Sequence, residues 1–153
     1  MPDEDHPSDP IFSLHRYYLT ADTMRRDMRS YLREHPGSSD VNSIEFTQFF
    51  AYMSMWYSTL WVVLEGWAEL KIEDPDMDQI LADDNAALLR RFRNATFHYQ
   101  RDYFDQRVID YVQSEDSVGW VYMAHKRVGD ALLRELGHSS NANMAGSDAP
   151  ERT

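Results

Sequence analysis

FTQFFAYMSMWYSTLWVVLEGWAEL, residues 46–70, decides the fold. From Phe46 to Leu64 the stretch carries no charged residue, and large apolar side chains fall on every side of a helical wheel. A span of that length and polarity invites a transmembrane reading. Thr47, Gln48, Ser54, Ser58 and Thr59 interrupt it, however, and it runs out into Glu65 and Glu69 instead of a basic flank. A helix that is apolar all round and does not enter a membrane belongs at the centre of a bundle, or between a bundle and a partner subunit. Residues 43–70 therefore read as the core helix, and its neighbours must supply the apolar faces that surround it.

The flanking sequence supplies them. Upstream, Leu14, Tyr17, Tyr18, Ala21, Met24, Met28, Tyr31 and Leu32 recur at helical spacing from about Ile11 to Glu34, with Arg25, Arg26, Arg29 and Arg33 off the stripe on a solvated face. Downstream, Asp74-Pro75 is a helix start in which Asp caps and Pro fits the first turn. A break at Asp83-Asp84 precedes a helix over about 85–99. A shorter helix follows, starting at Asp102 or Tyr103, with Phe104, Val108, Ile109 and Val112 on its apolar side. The last helix, about 116–136, buries Val118, Val121, Tyr122, His125 or Val128, Leu132 and Leu136, and Gly137 stands where a C-cap would sit. No strand-type alternation persists and no repeat is visible. The expectation is an all-α bundle of about five helices in one domain, residues 11–137, between disordered segments at 1–10 and 138–153.

Bulk composition agrees. Hydrophobic residues make up 42% of 153, with 4 Trp, 9 Tyr and 7 Phe, too much apolar surface for a disordered chain. The absence of cysteine excludes a disulfide framework and a thiolate metal site, and fits a reducing cytoplasmic compartment. MPDEDHPSDP at the start is the reverse of a secretory signal's basic and then apolar layout. With 15 Lys+Arg against 26 Asp+Glu the net charge is -11, which opposes general binding to nucleic-acid backbones but permits one local basic site.

RRFRNATFHYQR, residues 90–101, is that local exception: four arginines, a histidine and an asparagine without a carboxylate among them. On a helical wheel Leu88, Leu89, Phe92, Ala95, Thr96 and Tyr99 share the core side. Arg90, Asn94, Phe97, His98 and Arg101 share the opposite face, with Arg93 at its flank, and Asn94 and His98 are four apart and able to touch. The bland reading is a solvated helix face. Against it, exposed faces usually mix charge signs, and a phenylalanine among arginines needs a cover. Arginine binds phosphate through a planar fork, histidine moves protons near neutrality, and asparagine orients either. Together they suit transesterification of RNA, in which a two-fold dimer supplies one histidine as base and another as acid.

The hexapeptide RNATFH, Arg93-Asn94-x-x-x-His98, resembles the signature of the HEPN superfamily: an arginine, a polar residue directly after it, and a histidine four to six residues further on. The resemblance implies a helical bundle. It also implies, as in many members, a metal-independent endoribonuclease of toxin–antitoxin or defence type, active as a homodimer with the motifs facing each other. Arg93 and His98 become catalytic candidates with Asn94 as polar support, and Arg90, Phe97 and Arg101 candidates for substrate binding. An antitoxin or other protein is a possible partner. The superfamily also holds members without cleavage, so the alternative is a non-catalytic dimeric module that binds a nucleotide, a phosphate-bearing ligand or a partner protein through the same basic face. A third possibility pairs the arginines with acidic residues of the second subunit.

No other chemistry is expected. Glu-x-x-His pairs for a di-iron bundle, Gly-rich phosphate loops and His-Glu-x-x-His are absent from the sequence. The alternating Asp74, Asp76 and Asp78 lack the glycine and glutamate of a calcium loop. His15, His35 and His125 read as isolated structural or exposed side chains, and no cofactor, metal or membrane partner is expected.

Overall fold

Aspartate starts most of the helices. In the computed structural model, which describes residues 9–146 and the side chains of 9–141, Asp9 accepts from the Ile11 amide, Asp74 from Asp76 and Met77, Asp83 from Asn85, and Asp105 from Arg107. Each satisfies an amide that the first helical turn leaves free. Pro10 and Pro75 occupy first-turn positions, where a missing N–H costs nothing. The described residues form six helices and no strand: α1 Pro10–Glu34, α2 Phe46–Leu70, α3 Pro75–Ala82, α4 Asp84–Phe97, α5 Gln106–Gln113 and α6 Ser117–Gly146. The fold is all-α. None of these helices is long and apolar enough to cross a membrane.

The apolar helix α2 is the axis. Met53, Trp56, Tyr57, Leu60, Val63, Leu64 and Trp67 are buried along one face, and buried Ser54, Ser58 and Thr59 widen that surface to either side. α1 packs along it most extensively, α4 takes another side, and α6 lies against α1 and α2 while also reaching α3 and α5. At the α2–α4–α5 junction Tyr57, Phe92 and Tyr111 form a triangle of tilted rings with centroids 5.4–5.5 Å apart. Burial raises the pKa of both tyrosines far above the usual phenol range.

Two glycines set how closely the outer helices approach. Gly66 of α2 faces Leu14, whose Cδ1 lies 2.6 Å from the place a Cβ would take, and Gly129 of α6 is crossed by the Tyr18 ring, with its Cζ at 2.6 Å from that place. Bare backbone is what lets α1 seat against both helices.

Several boundaries differ from those that periodicity suggests. The break expected at Asp83-Asp84 is present and separates α3 from α4, which brings the number of helices to six among the described residues. α4 stops at Phe97, so Tyr99 is 95% exposed instead of in the core. α5 begins at Gln106 because Asp105 is its cap; Phe104 precedes it and packs edge-on against Phe46 and Phe50. Val112, Val118 and Tyr17 are exposed, since the neighbouring helices cover only part of each stripe. Arg25 is half-buried and paired with Asp22, not solvated. α6 runs through Gly137 to Gly146: no proline interrupts it, and Gly137 keeps helical geometry in open space. Where disorder was expected, Asp9 caps α1 and Pro10 and residues 138–146 are helical; residues 1–8 and 147–153 lie outside the described region.

The two helical glycines of α6 separate packing from propensity. Gly129→Ala forces the Tyr18 ring aside and is expected to cost about 1–3 kcal/mol. Gly137→Ala meets nothing and is expected to add about 0.5–1 kcal/mol. Urea unfolding of the two variants beside the parent checks both signs.

Candidate functional site

The basic stretch begins on α4 and ends beyond it. Ala86, Leu89, Phe92 and Ala95 turn into the core, which leaves Arg90 and Arg91 exposed and Arg93 and Asn94 half-buried. The Arg93 Nη1 donates to Asn94 Oδ1 at 3.1 Å, and its guanidinium carbon lies 5.7 Å from the centre of the Phe97 ring. Its Nε is buried with no hydrogen-bond partner, and no carboxylate pairs with it among the described residues. Arg93 thus keeps an uncompensated charge in a fixed position, braced by an amide and an aromatic face.

His98 is the C-cap of α4, with extended backbone (φ -115°, ψ 134°). Leaving the helix, it does not share a helical face with Asn94. The asparagine serves Arg93, and the imidazole is exposed with no hydrogen bond to another described residue. The Gln100 side chain donates to the His98 carbonyl at 2.8 Å, which stabilises the turn away from the helix axis. Arg101 also falls in this irregular segment and is exposed, as is Arg90 on the helix; neither forms an ion pair among the described residues. Arg91 does: it reaches Asp110 of α5 at 3.1 Å, so part of the local positive charge is neutralised by a residue outside the stretch.

The segment after α4 folds over the first half of α2 and encloses a cleft of about 550 Å3. Phe50, Ser54 and Met55 of α2 form one wall, and Phe97, His98 and Tyr103 are among the residues opposite. Phe97 is 50% and Tyr103 70% exposed, so the cleft offers aromatic surface beside an imidazole. Asp102 and Asp105 also line it. Arg107 satisfies Asp105 through its side chain and backbone N–H, holding that carboxyl below the usual range. The geometry brings Arg93, Asn94, Phe97 and His98 to one end of α4. Of the six candidate site residues, only Phe97 and His98 line the cleft; Arg90, Arg93, Asn94 and Arg101 do not. A volume of this size with a few polar groups on apolar walls suits a small organic or nucleotide-sized ligand.

Ser54 and Tyr103 were not legible as cleft residues, because only the folding of 98–105 onto α2 makes them neighbours of His98. His125 was legible only as a histidine on an apolar stripe. It is buried, and holds the sole long-range side-chain hydrogen bonds that join α6 to α1 and α2 among the described residues.

No protein-family model, curated protein or solved structure matches the chain.

Exposure separates the site from the core. His98→Ala is expected to change stability by less than about 0.5 kcal/mol, since the ring touches no partner. Phe92→Ala, which opens the triangle with Tyr57 and Tyr111, is expected to cost about 3–5 kcal/mol. Thermal unfolding followed by circular dichroism measures the difference.

Proposed function

We propose that the chain is an HEPN-like, metal-independent endoribonuclease that cleaves RNA at the Arg93/His98 end of α4 as a homodimer. The observation that carries this reading is Arg93: a braced guanidinium with no carboxylate, next to a phenylalanine that shares the cleft with an unengaged histidine. In the reaction a ribose 2′-hydroxyl gives its proton to His98 and its oxygen bonds to the adjacent phosphorus. The P–O5′ bond breaks, and the histidine of the second copy protonates the departing oxygen. Arg93 stabilises the negative charge that accumulates on the phosphorane, and Asn94 holds the guanidinium in place. Phe97 offers a face for a base. Arg90 and Arg101 lie outside the cleft, where they meet phosphates further along the chain. The products are a 2′,3′-cyclic phosphate and a 5′-hydroxyl. An enzyme of this kind acts in the cytoplasm under the control of an antitoxin or another inhibitory protein.

A second reading rests on a separate observation. His98 has no hydrogen bond to set its tautomer, and Arg90, Arg93 and Arg101 have no carboxylate partner among the described residues. Those features suit a dimeric module that binds a nucleotide, another phosphate-bearing ligand or an acidic protein segment without cutting. Such a module depends on Arg90, Arg93 and Arg101 more than on His98. If the arginines instead pair across the dimer, Arg93→Ala converts dimer to monomer.

The deciding experiment incubates single-stranded and structured RNA with the protein in EDTA, beside His98→Ala and Arg93→Ala. Cleavage leaving a 2′,3′-cyclic phosphate, reduced by at least about 100-fold in His98→Ala, is the expected outcome. Intact RNA from a folded parent dimer, in the absence of any copurified inhibitor, sinks the ribonuclease reading; retained nucleotide binding that is lost in Arg93→Ala then favours the module.

A further inference from the structure

Outside the cleft lining, three helices meet at one buried imidazole. His125 of α6 is 4% exposed. The Trp56 Nε1 of α2 lies 3.1 Å from its Nδ1, and Asp22 Oδ1 of α1 lies 3.1 Å from its Nε2. An indole N–H can only donate, so Nδ1 must accept; the ring proton then sits on Nε2 and is donated to Asp22. This assignment satisfies every member of the chain with a neutral imidazole, and no other protonation state does. A second proton would have to go on Nδ1, where it points at the indole N–H.

We infer that Trp56–His125–Asp22 is an acid-sensitive latch, in which protonation of His125 breaks its bond to Trp56 and loosens the junction of α1, α2 and α6.

The surroundings of the ring set the direction. From α1, Asp22 favours the protonated ring, while Arg25, bonded to Asp22 at 2.8 Å, opposes it; Arg26 also reaches Asp22, at 3.1 Å. Tyr18 lies over the imidazole with centroids 4.9 Å apart, and His15 stacks beyond Tyr18 at 6.4 Å. From α2 the ring receives Trp56 and no charge. On α6, Tyr122 and Lys126 line the same small cleft, and Lys126 is paired with Asp130 at 2.6 Å. Burial lowers the His125 pKa, the Asp22 hydrogen bond and charge partly restore it, and Arg25 lowers it further; the net position is below the ordinary 6.5. For Asp22, burial raises the pKa, but the hydrogen bonds from Arg25 and His125 outweigh it, leaving the carboxyl below its ordinary value of 3.8. Both groups bind fewer protons folded than unfolded, so both stabilise the fold at neutral pH. The histidine's share is complete above about 6.5 and is lost as pH falls through its lowered folded value. The aspartate's share is lost only below about 3.9. Mild acid therefore acts through His125 while Asp22 stays charged.

Release is expected to be felt along α2. Met55 and Ser54, immediately before Trp56, stand in the wall of the cleft that holds His98. The latch itself does not depend on what that cleft does.

The test is an NMR titration of the 15N-labelled protein from pH 7.5 to 4.5, with the Trp56 indole signal assigned through Trp56→Phe. The expected result is an indole shift, with loss of exchange protection, whose midpoint lies below 6.5, accompanied by the Ser54 and Met55 amides while the circular dichroism of the helices persists. In His125→Gln, which can accept and donate in the same place but cannot ionise, the shift is absent. An indole signal constant across the range, or a transition kept in His125→Gln, overturns the latch; flat amides at Ser54 and Met55 overturn its reach toward the cleft. Should the variant fail to fold, the parent's His125 ring nitrogens decide alone. A proton on Nε2 at pH 7.5 that becomes two protons below the midpoint supports the latch, and a proton on Nδ1 at pH 7.5 overturns it.

Discussion

A helix with large apolar side chains around its whole circumference cannot lie at a surface without exposing some of them to water. α2 is such a helix by sequence, and the other helices cover all of it but a strip that carries Ala51, Met55 and Glu69. Burying Trp56, Leu60, Leu64 and Trp67 is worth about 1.5–3 kcal/mol for each side chain. The same interior holds the Ser54 and Ser58 hydroxyls and the Trp67 indole N–H without protein partners, each a penalty of about 1–3 kcal/mol. The balance favours burial only while α1, α4 and α6 all stay in contact with the axis. The Leu14 and Tyr18 side chains of α1 use the space left by Gly66 and Gly129, and a Cβ at either position would force them to move.

Where this core does match polar groups donor to acceptor, His125 shows how narrow the match is. Its two nitrogens meet one obligate donor and one obligate acceptor, so a single tautomer fits. The pairing ties three helices together through directional contacts in a region otherwise held by non-directional packing. Apolar packing tolerates small shifts; this chain of hydrogen bonds does not, which makes it the part of the core most responsive to a change of charge.

The cleft arises from the opposite circumstance, a place where regular structure stops. α4 ends at Phe97 although the sequence continues with residues a helix would accept. The following eight positions cross α2 until Asp105 caps α5. Phe104, wedged against Phe46 and Phe50, fixes that crossing. The departure carries His98 and Tyr103 to the wall of a cavity, while Arg93 stays on the rigid helix. A group on a helix is held in position, and a group on the adjoining segment is free to adjust; the candidate site combines one of each.

How much of this was legible in the sequence follows from the range of each interaction. The central position of α2 could be read because apolarity on every side has few other outlets in a chain whose flanks are acidic. The aspartate cap at 74 and the break at 83–84 were readable because such signals act over two or three residues. Arg93, Asn94 and His98 stood out by type and spacing, but their relation did not. A wheel drawn through residue 98 placed Asn94 against His98, whereas the helix ends one residue earlier and the asparagine turns to Arg93. The reach of α6 past Gly137 also escaped, since a glycine marks a helix end only if the chain adopts the left-handed turn there. Three features lay beyond any local pattern: the Arg91–Asp110 pair, the wall that Ser54 gives to the His98 cleft, and the meeting of Asp22, Trp56 and His125. The last joins residues 103 and 69 positions apart. The sequence by itself determined that the chain is helical and that α2 had to be largely buried, because both depend on side-chain type and helical period. Which polar groups met was decided only by the tertiary structure, because a hydrogen bond requires a few tenths of an ångström that no spacing along the chain specifies.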